Sequence, residues 1–297
     1  NLFRIASVSK PITSVAIMKL VEQGKLSLSS TVFGPNGILN QFSGPYAAGV
    51  TSITVKQLMS HTSGICPSGT PQPACPLDGP MLHDGFANVT AAMNAVIAQP
   101  VTTPGAWAYS NTGYFILGHI VEKLGGPNYV QWTQNNVLQP IGVTDMQIGE
   151  TAQGHPLPNE VVYQPNTAGG SYQYGFDFFD AFGGWIASPT DIVRFGVHAF
   201  GLPNVPSLLS PASVTTTLTP VASQFSVAWV IQNGITWKDG DLVGTQSYIV
   251  KHTVTPDDGI MWFGVTNASG TDLYHGGADT IASLPIAWPS TDFFLDQ

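Results

Sequence analysis

The fold is first indicated by the segment ASVSKPIT (6–13), near the start of the sequence. It places Ser7 three positions before Lys10, and a long apolar run follows. We predict a helix over 7–23, closed by Gly24, because a proline in the first turn is tolerated and glycine favours a helix end. Apolar residues surround most of this helix, which indicates that it is buried.

The serine and the lysine of this stretch have two interpretations. In a helix, positions i and i+3 lie on one face, about 5–6 Å apart. Ser7 is then a nucleophile, and partial burial lowers the pKa of Lys10 so that a neutral amine can accept the serine proton. In the other interpretation, the serine caps a helix and the lysine extends its head to solvent. Taken alone, the stretch favours the second interpretation.

Two later segments carry further candidate site residues. Tyr109-Ser110-Asn111 precedes a predicted helix, and alternate residues of an extended turn can present a phenol and an amide on one face. A tyrosine packed on the core beside a capping asparagine is the alternative. Trp237-Lys238-Asp239-Gly240 lies on a predicted strand after the turn Asn233-Gly234, which is a strong hairpin signal.

The pattern of elements predicts an α+β fold. Strands dominate after about residue 222, where 225–232 and the segments on either side of TPDDG (255–259) form predicted hairpins. The first helix is expected to lie between the two layers. Further helices are predicted over 53–65, 88–98, 113–124, 129–138 and 189–200, the last with Ser188 as its N-cap.

Composition narrows the possible functions. The 297 residues carry a net charge of −9 with only nine lysines and arginines, which argues against a nucleic-acid partner. The sequence contains no apolar run long enough for a membrane span. Cys66 and Cys75 flank a Pro/Gly-rich loop and are predicted to form a disulfide, with two free thiols as the alternative. Asn88 and Asn267 begin glycosylation sequons, and together these features predict a secreted protein.

The ordered set of motifs resembles the serine β-lactamase and penicillin-binding protein superfamily, which Ser-x-x-Lys marks. The class C branch, with its esterase and D-aminopeptidase relatives, fits best because the second motif here is Tyr-x-Asn. The resemblance covers nearly the whole chain. Besides the three motifs it rests on segments in family order: GKLSLSSTV, ITVKQLMSHTSGI, YSNTGYFILGHIVEKLGG, LQPIGVTDM, GGWIASPTDIVRFG and LLSPAS.

The resemblance implies a fold and an organisation. The fold is β-lactamase/transpeptidase-like, with an antiparallel sheet flanked by helices and a mostly helical subdomain. Residues 1–297 then form one catalytic domain, with the helical subdomain at roughly 30–185 and the sheet built mainly from 222–270. The family has a helix and two strands before its nucleophile, so we expect N-terminal elements to be missing. ADTIASLPIAWPS (278–290) is expected to be a short closing helix.

The resemblance also implies the roles of the site residues. Ser7 is the expected nucleophile, Lys10 its base or activator, and Tyr109 a group that takes up the proton and returns it to the leaving group. Asn111 is expected to bind a substrate carbonyl or to position Lys10. Lys238 and Gly240 line the site from the edge strand, and the backbone N–H groups of Ser7 and Asp241 form the oxyanion hole. No metal or cofactor is implied.

One departure from the family pattern bears on the substrate. Asp239 stands where the β-lactamases and DD-peptidases often carry a threonine that helps to bind the substrate carboxylate. A carboxylate there repels an anionic substrate and partly neutralises Lys238, unless strand alternation turns it away from the cleft. We therefore expect a carboxylesterase acting on small or aromatic esters or amides. A β-lactamase or DD-peptidase and an inactive binding homologue are the alternatives.

Aromatic residues and one histidine are further candidates for the site. Four aromatic residues are candidates for an acyl pocket, although for any single one of them core packing is the favoured interpretation: Trp107, Tyr114, Trp185 and Trp237. His61 in SHTSG invites a catalytic-triad interpretation. We reject that interpretation because the family uses this stretch structurally and Lys10 and Tyr109 already supply a base.

Overall fold

The computed structural model describes residues 1–67, 75–150, 156–164, 172–202, 204–253 and 259–268. Its α-helices are α1 (Ser9–Glu22), α2 (Val55–Met59), α3 (Asp78–Leu82), α4 (Val89–Ile97), α5 (Asn111–Gly125), α6 (Tyr129–Thr133), α7 (Asp180–Gly183), α8 (Pro189–Ala199) and α9 (Pro211–Leu218). Its strands are β1 (Phe3–Arg4), β2 (Gln147–Ile148), β3 (Trp185–Ala187), β4 (Val230–Gln232), β5 (Ile235–Leu242), β6 (Thr245–Thr253) and β7 (Gly259–Thr266). This composition confirms the predicted α+β class.

Helix α1 is the buried centre of the fold, as predicted. Every residue from Ser9 to Met18 is buried, and α1 packs against α5 and α7. The prediction that the helix begins at residue 7 is wrong, because Ala6–Val8 form a 3-10 turn before it. Ala6 has a φ of 47°, a left-handed backbone that an α-helix cannot contain.

The larger sheet is antiparallel with the strand order β4-β5-β6-β7. Asn233 and Gly234 both have positive φ, at 52° and 76°, as a two-residue hairpin turn of this type requires. This confirms the predicted hairpin. The strand predicted over 225–232 is wrong in length, because only Val230–Gln232 is a strand and Ala228 before it has a φ of 66°.

A smaller sheet, which the sequence did not indicate, joins β1, β3 and β2 in that order. It fixes the chain just before Ser7, because Ile5 donates its backbone N–H to the carbonyl of Trp185 at 3.1 Å. The guanidinium of Arg4 is buried and pairs with Glu160 at 3.0 Å. Non-local pairs of this kind leave no periodic signal in the sequence.

Several predicted helices are present with altered ends. Helix α8 has the predicted N-cap Ser188, which forms a capping box with Asp191. The helix predicted over 53–65 stops at Met59, and the one over 129–138 becomes a π-turn after Thr133. Helix α5 begins two residues earlier than predicted, at Asn111, because Ser110 caps it by accepting the N–H of Gly113. That change places Asn111 on a rigid element.

Cys66 and Cys75 form a disulfide, which confirms the predicted pairing. Asn88 and Asn267 are exposed, and their glycosylation stays a prediction. The segment 278–290, the turn residues 254–258 and the sequon residue Ser269 lie outside the described residues. Among the helices that are described, none has the length and apolar character that a bilayer crossing needs.

Candidate active site

The turn that carries Ser7 is clamped between α1 and β5. On the sheet side, Ser247 donates its hydroxyl to the carbonyl of Ile5 at 2.7 Å, and Thr245 donates to the carbonyl of Arg4 at 2.9 Å. A Cβ placed on Gly240 would lie 2.9 Å from the Ser7 nitrogen, so only glycine lets β5 approach so closely. The strand backbone therefore lies directly against the Ser7 turn.

Lys10 meets Ser7 at hydrogen-bond distance. Its Nζ lies 3.0 Å from Ser7 Oγ, 2.9 Å from Asn111 Oδ1 and 2.7 Å from the backbone carbonyl of Phe182. The side chain is fully buried. A neutral amine has two N–H groups and one lone pair. The amide and the carbonyl can therefore accept both N–H groups, which leaves the lone pair for the Ser7 hydroxyl.

The Tyr109 segment completes the arrangement. Tyr109 donates its hydroxyl to Ser7 Oγ at 2.7 Å, and Asn111 reaches Lys10 from the first turn of α5. Between them, Ser110 turns away and donates to the carbonyls of Ile65 and Cys66 at 2.9 and 3.1 Å. The alternation expected from the sequence thus places the phenol and the amide on one side.

The pKa shifts in this cluster favour different protonation states for Lys10 and Tyr109. Burial, and next the charge of Lys238, hold the pKa of Lys10 well below its usual value, although the carboxylates of Asp78 and Asp239 oppose the shift. Burial raises the pKa of Tyr109 far above that of an ordinary phenol, despite its hydrogen bond to Ser7. At neutral pH Lys10 is therefore suited to accept a proton, and Tyr109 remains a donor.

Strand β5 contributes the remaining predicted residues. The side chain of Lys238 is 8% exposed, and its Nζ binds both Oδ1 and the backbone carbonyl of Asp239 at 2.8 Å. Burial alone would raise the pKa of the Asp239 carboxyl, but the charge and hydrogen bond of Lys238 outweigh burial and lower it. Asp239 lines the cleft together with Asp241. Strand alternation therefore does not turn Asp239 away.

A cavity of about 400 Å³ opens beside Ser7. Its wall is aromatic, and of the four candidates Trp107 and Trp237 line it. Tyr114 is instead buried in the core, where it donates to the carbonyl of Met59 at 2.8 Å, and Trp185 donates its indole N–H to Tyr129 at 3.0 Å. The cavity also takes in residues that the sequence did not single out: Phe225, Ala228, Trp229 and Val230.

His61 supports the site without joining the proton chain. Its Nδ1 accepts the backbone N–H of Ser110 at 3.1 Å, and its ring lies 4.5 Å from the ring of Tyr109. Burial, with the charges of Lys10 and Lys238, holds its pKa well below the usual value. His61 thus lies against the ring of Tyr109 and also lines the cavity. The rejection of a triad stays a prediction.

Sequence reasoning missed two partners of Lys10. The Phe182 carbonyl comes from α7, and no side-chain motif can reveal a backbone acceptor 172 positions away. Asp78 in α3 raises the pKa of both Lys10 and Tyr109 through its charge. Asp78 lies three positions after Cys75. The predicted disulfide between Cys66 and Cys75 was a weak signal that the segment around Asp78 lies near the site. In the described part of the chain, no group of three or more His, Cys, Asp or Glu side chains is placed to hold a metal ion.

A family model described as Beta-lactamase matches residues 1–284. Among curated proteins, the putative penicillin-binding protein PbpX of Bacillus subtilis is 27% identical over 162 residues, which are 52% of this chain and 35% of that protein. Penicillin-binding protein 4* of the same organism is 30% identical over 50% of this chain and 31% of its own length. The matches thus span well under half of these relatives.

Solved structures show the same fold. The penicillin-binding protein from Bacillus halodurans superposes with a TM-score of 0.70 at 20% identity, over 95% of this chain and 85% of that one. The D-stereospecific amidohydrolase from a Streptomyces species gives 0.67 at 24% identity, over 90% and 82%. These likenesses confirm the predicted β-lactamase/transpeptidase-like architecture.

Proposed function

Because this chain belongs to the beta-lactamase family, we propose that it is a serine hydrolase that acts through an acyl-Ser7 intermediate, with carboxylic esters as its substrates. The observation that carries this proposal is the convergence of Lys10 Nζ and the Tyr109 hydroxyl on Ser7 Oγ, at 3.0 and 2.7 Å. A nucleophile within reach of a neutral base is the arrangement that acyl transfer requires.

Acylation begins when Ser7 Oγ attacks the carbonyl carbon of the substrate and Lys10 accepts the serine proton. The oxyanion that forms is held by the backbone N–H groups of Ser7 and Asp241. Tyr109 gives its proton to the leaving group and regains one from Lys10, since its raised pKa makes it a donor and not a base. Water then attacks the acyl-Ser7 carbonyl and gives a proton to Lys10. As the bond between the acyl carbon and Ser7 Oγ breaks, Lys10 returns that proton to Ser7 Oγ, which restores the serine and the neutral amine.

The position of Asp239 is the reason why we propose an ester that has no carboxylate group. It occupies the cleft beside Lys238 and binds that ammonium at 2.8 Å, so the cation is already paired. A penicillin or a peptide with a C-terminal carboxylate would have to displace this ion pair and would meet the charge of Asp239. The alternatives, a β-lactamase or DD-peptidase and an inactive homologue, follow if that repulsion is absent or if Ser7 is unreactive.

Labelling with a fluorophosphonate probe tests the nucleophile. Wild type and Ser9→Ala are expected to be labelled, because Ser9 is buried and accepts the backbone N–H of Trp185 at 3.3 Å. Ser7→Ala is expected to remain unlabelled. Absence of labelling in the folded wild type would sink the hydrolase proposal. Turnover of short-chain p-nitrophenyl esters compared with nitrocefin then separates esterase from β-lactamase.

The remaining predicted properties stay proposals. Secretion and glycosylation at Asn88 and Asn267 accord with the disulfide between Cys66 and Cys75, because disulfides persist in oxidising compartments. An intact-mass measurement on protein from a glycosylating host would detect the two glycans. The proposed partner is a small ester or amide, with no nucleic acid.

A further inference from the structure

The charges around the cavity do not match an anionic substrate. Lys238 is the one lysine or arginine among the described lining residues, and its ammonium is bound by Asp239. Lys10 lies behind Ser7, fully buried, with a pKa that favours the neutral amine. Asp241 lines the same cavity and is exposed. The described lining therefore includes one ammonium and two carboxylates, so the cavity carries a net negative charge.

The side chain of Asp239 is placed to contact a second cation. Its Oδ1 accepts from Lys238, while the side chain stays 40% exposed along the cavity wall. A carboxylate has two oxygens and about four acceptor positions, so pairing with one lysine does not exhaust it. A ligand cation that enters the cavity can therefore share this carboxylate with Lys238.

The aromatic wall suits the same kind of group. Trp107 is 36% exposed and stacks on Phe225, with ring centroids 3.7 Å apart and an interplanar angle of 12°. Trp229 and Trp237 complete that wall on the side of β4 and β5. Ring faces attract ammonium groups, and quaternary ammonium ligands are commonly bound in cages of aromatic rings.

We propose that this cavity binds the ammonium group of a cationic ester or amide, positioned by Asp239, Asp241 and the Trp107–Phe225 stack while Ser7 faces the carbonyl. The inference rests on the proposed function and extends it from the reaction to the substrate class. Amines, including quaternary ones, are the chemistry that this combination of aromatic faces and carboxylates recognises.

A pair of isosteric esters tests the proposal. Choline phenylacetate and 3,3-dimethylbutyl phenylacetate have the same shape and the same acyl group. The head group of the choline ester is centred on a positively charged nitrogen, whereas the head group of the dimethylbutyl ester is centred on a neutral carbon. We expect kcat/KM for the choline ester to be higher by about tenfold at low salt, and the ratio to fall as salt screens the exposed carboxylates.

Three variants locate the effect. Asp239→Asn and Asp241→Asn remove one charge each while keeping the side-chain shape, and either is expected to bring the ratio of the two esters closer to one. Asp145→Asn is the matched control, because Asp145 is an exposed carboxylate that lines a separate cavity beside Ser188. It is expected to leave the ratio unchanged.

The outcomes separate this proposal from the proposed function. Equal kcat/KM values for the two esters, or a preference for the neutral one, would overturn the inference and leave the esterase proposal intact. Hydrolysis of neither ester would contradict the esterase proposal. Calorimetry on Ser7→Ala then decides the inference alone, because tighter binding of the choline ester supports it and equal or absent binding overturns it.

Discussion

Gly240→Ala tests whether β5 closes directly on the nucleophile. A methyl group at this position would overlap the carbonyl oxygen of Ile5, and would lie 2.5 Å from Ser247 Oγ and 2.9 Å from the Ser7 nitrogen. Two of these neighbours are backbone atoms, and Ser247 Oγ is bound to the Ile5 carbonyl at 2.7 Å. The two backbone atoms belong to the turn that carries Ser7 or to the residue fixed just before it, so relief of the overlap displaces that turn.

The contacts set the expected size of the effect. Forcing a methyl group into a packed site costs about 1–3 kcal/mol, which corresponds to a decrease in Tm of roughly 2–10 °C for a chain of this size. The same displacement moves the backbone N–H of Ser7, one of the two proposed oxyanion donors. Loss of one such donor lowers kcat by about 10²–10³-fold.

The assay separates folding from catalysis. We would measure kcat on a p-nitrophenyl ester, normalised to the folded fraction from near-UV circular dichroism, and Tm from the thermal transition. Gly79→Ala is the matched control, since a Cβ on Gly79 in α3 meets nothing within 4 Å. That control should keep its kcat and show a smaller decrease in Tm than Gly240→Ala. A Gly240→Ala variant with kcat within about twofold of wild type would refute the close approach of β5.

Further predictions concern the proton chain and the disulfide. Lys10→Arg replaces the neutral amine by a permanently charged guanidinium that cannot act as a base, so kcat/KM should fall by about 10²–10⁴-fold in ester hydrolysis. Tyr109→Phe removes the hydroxyl that donates to Ser7, and it should lower kcat by about 10²-fold or more with little change in Tm. Because the pKa of Lys10 lies well below its unfolded value, unfolding takes up a proton between those two pKa values, and stability rises with pH up to about pH 10; denaturation of Lys10→Met should lack this part of the rise. Reduction, or Cys66→Ser with Cys75→Ser, opens a bridge of sequence separation 9 and should cost about 2–3 kcal/mol in urea unfolding.

The sequence predicted those parts of the fold that depend on local chemistry. Ser188 before a proline and an acidic residue three positions on predicts a capped helix, and Asn233-Gly234 predicts a tight hairpin, because each signal acts within a few residues. The pairing of Ser7 with Lys10 follows the same rule, since three positions make one helical turn. Whether Ser7 and Lys10 form a catalytic pair, however, could be judged only together with Tyr109 and Asn111, about a hundred positions away.

The missed features depend on contacts that no local pattern specifies. The left-handed backbone at Ala6 arises because the chain must leave β1 and enter α1 while Ile5 is fixed to Trp185 and Ser247. The Phe182 carbonyl reaches Lys10 only because α7 packs on α1. Such positions are over-determined by several elements at once, which is also why they can hold a strained backbone or a buried amine.

The identity of residue 239 connects the choice of substrate to the strength of the base. The Lys238 ammonium lowers the pKa of Lys10, and the carboxylate of Asp239 raises it, so the two charges partly cancel at the amine. A threonine at this position would leave Lys238 unpaired, which would attract a substrate carboxylate and favour the neutral form of Lys10 more strongly. With aspartate, the ion pair removes that attraction, and burial has to do more of the work of keeping Lys10 neutral. The burial of Lys10 among α1, α5 and α7 therefore matters more in this chain than it would beside an unpaired lysine. The carboxylate of Asp239 contributes to the negative charge of the cavity, and it also raises the pKa of Lys10, which burial has to offset if the amine is to act as the proposed base.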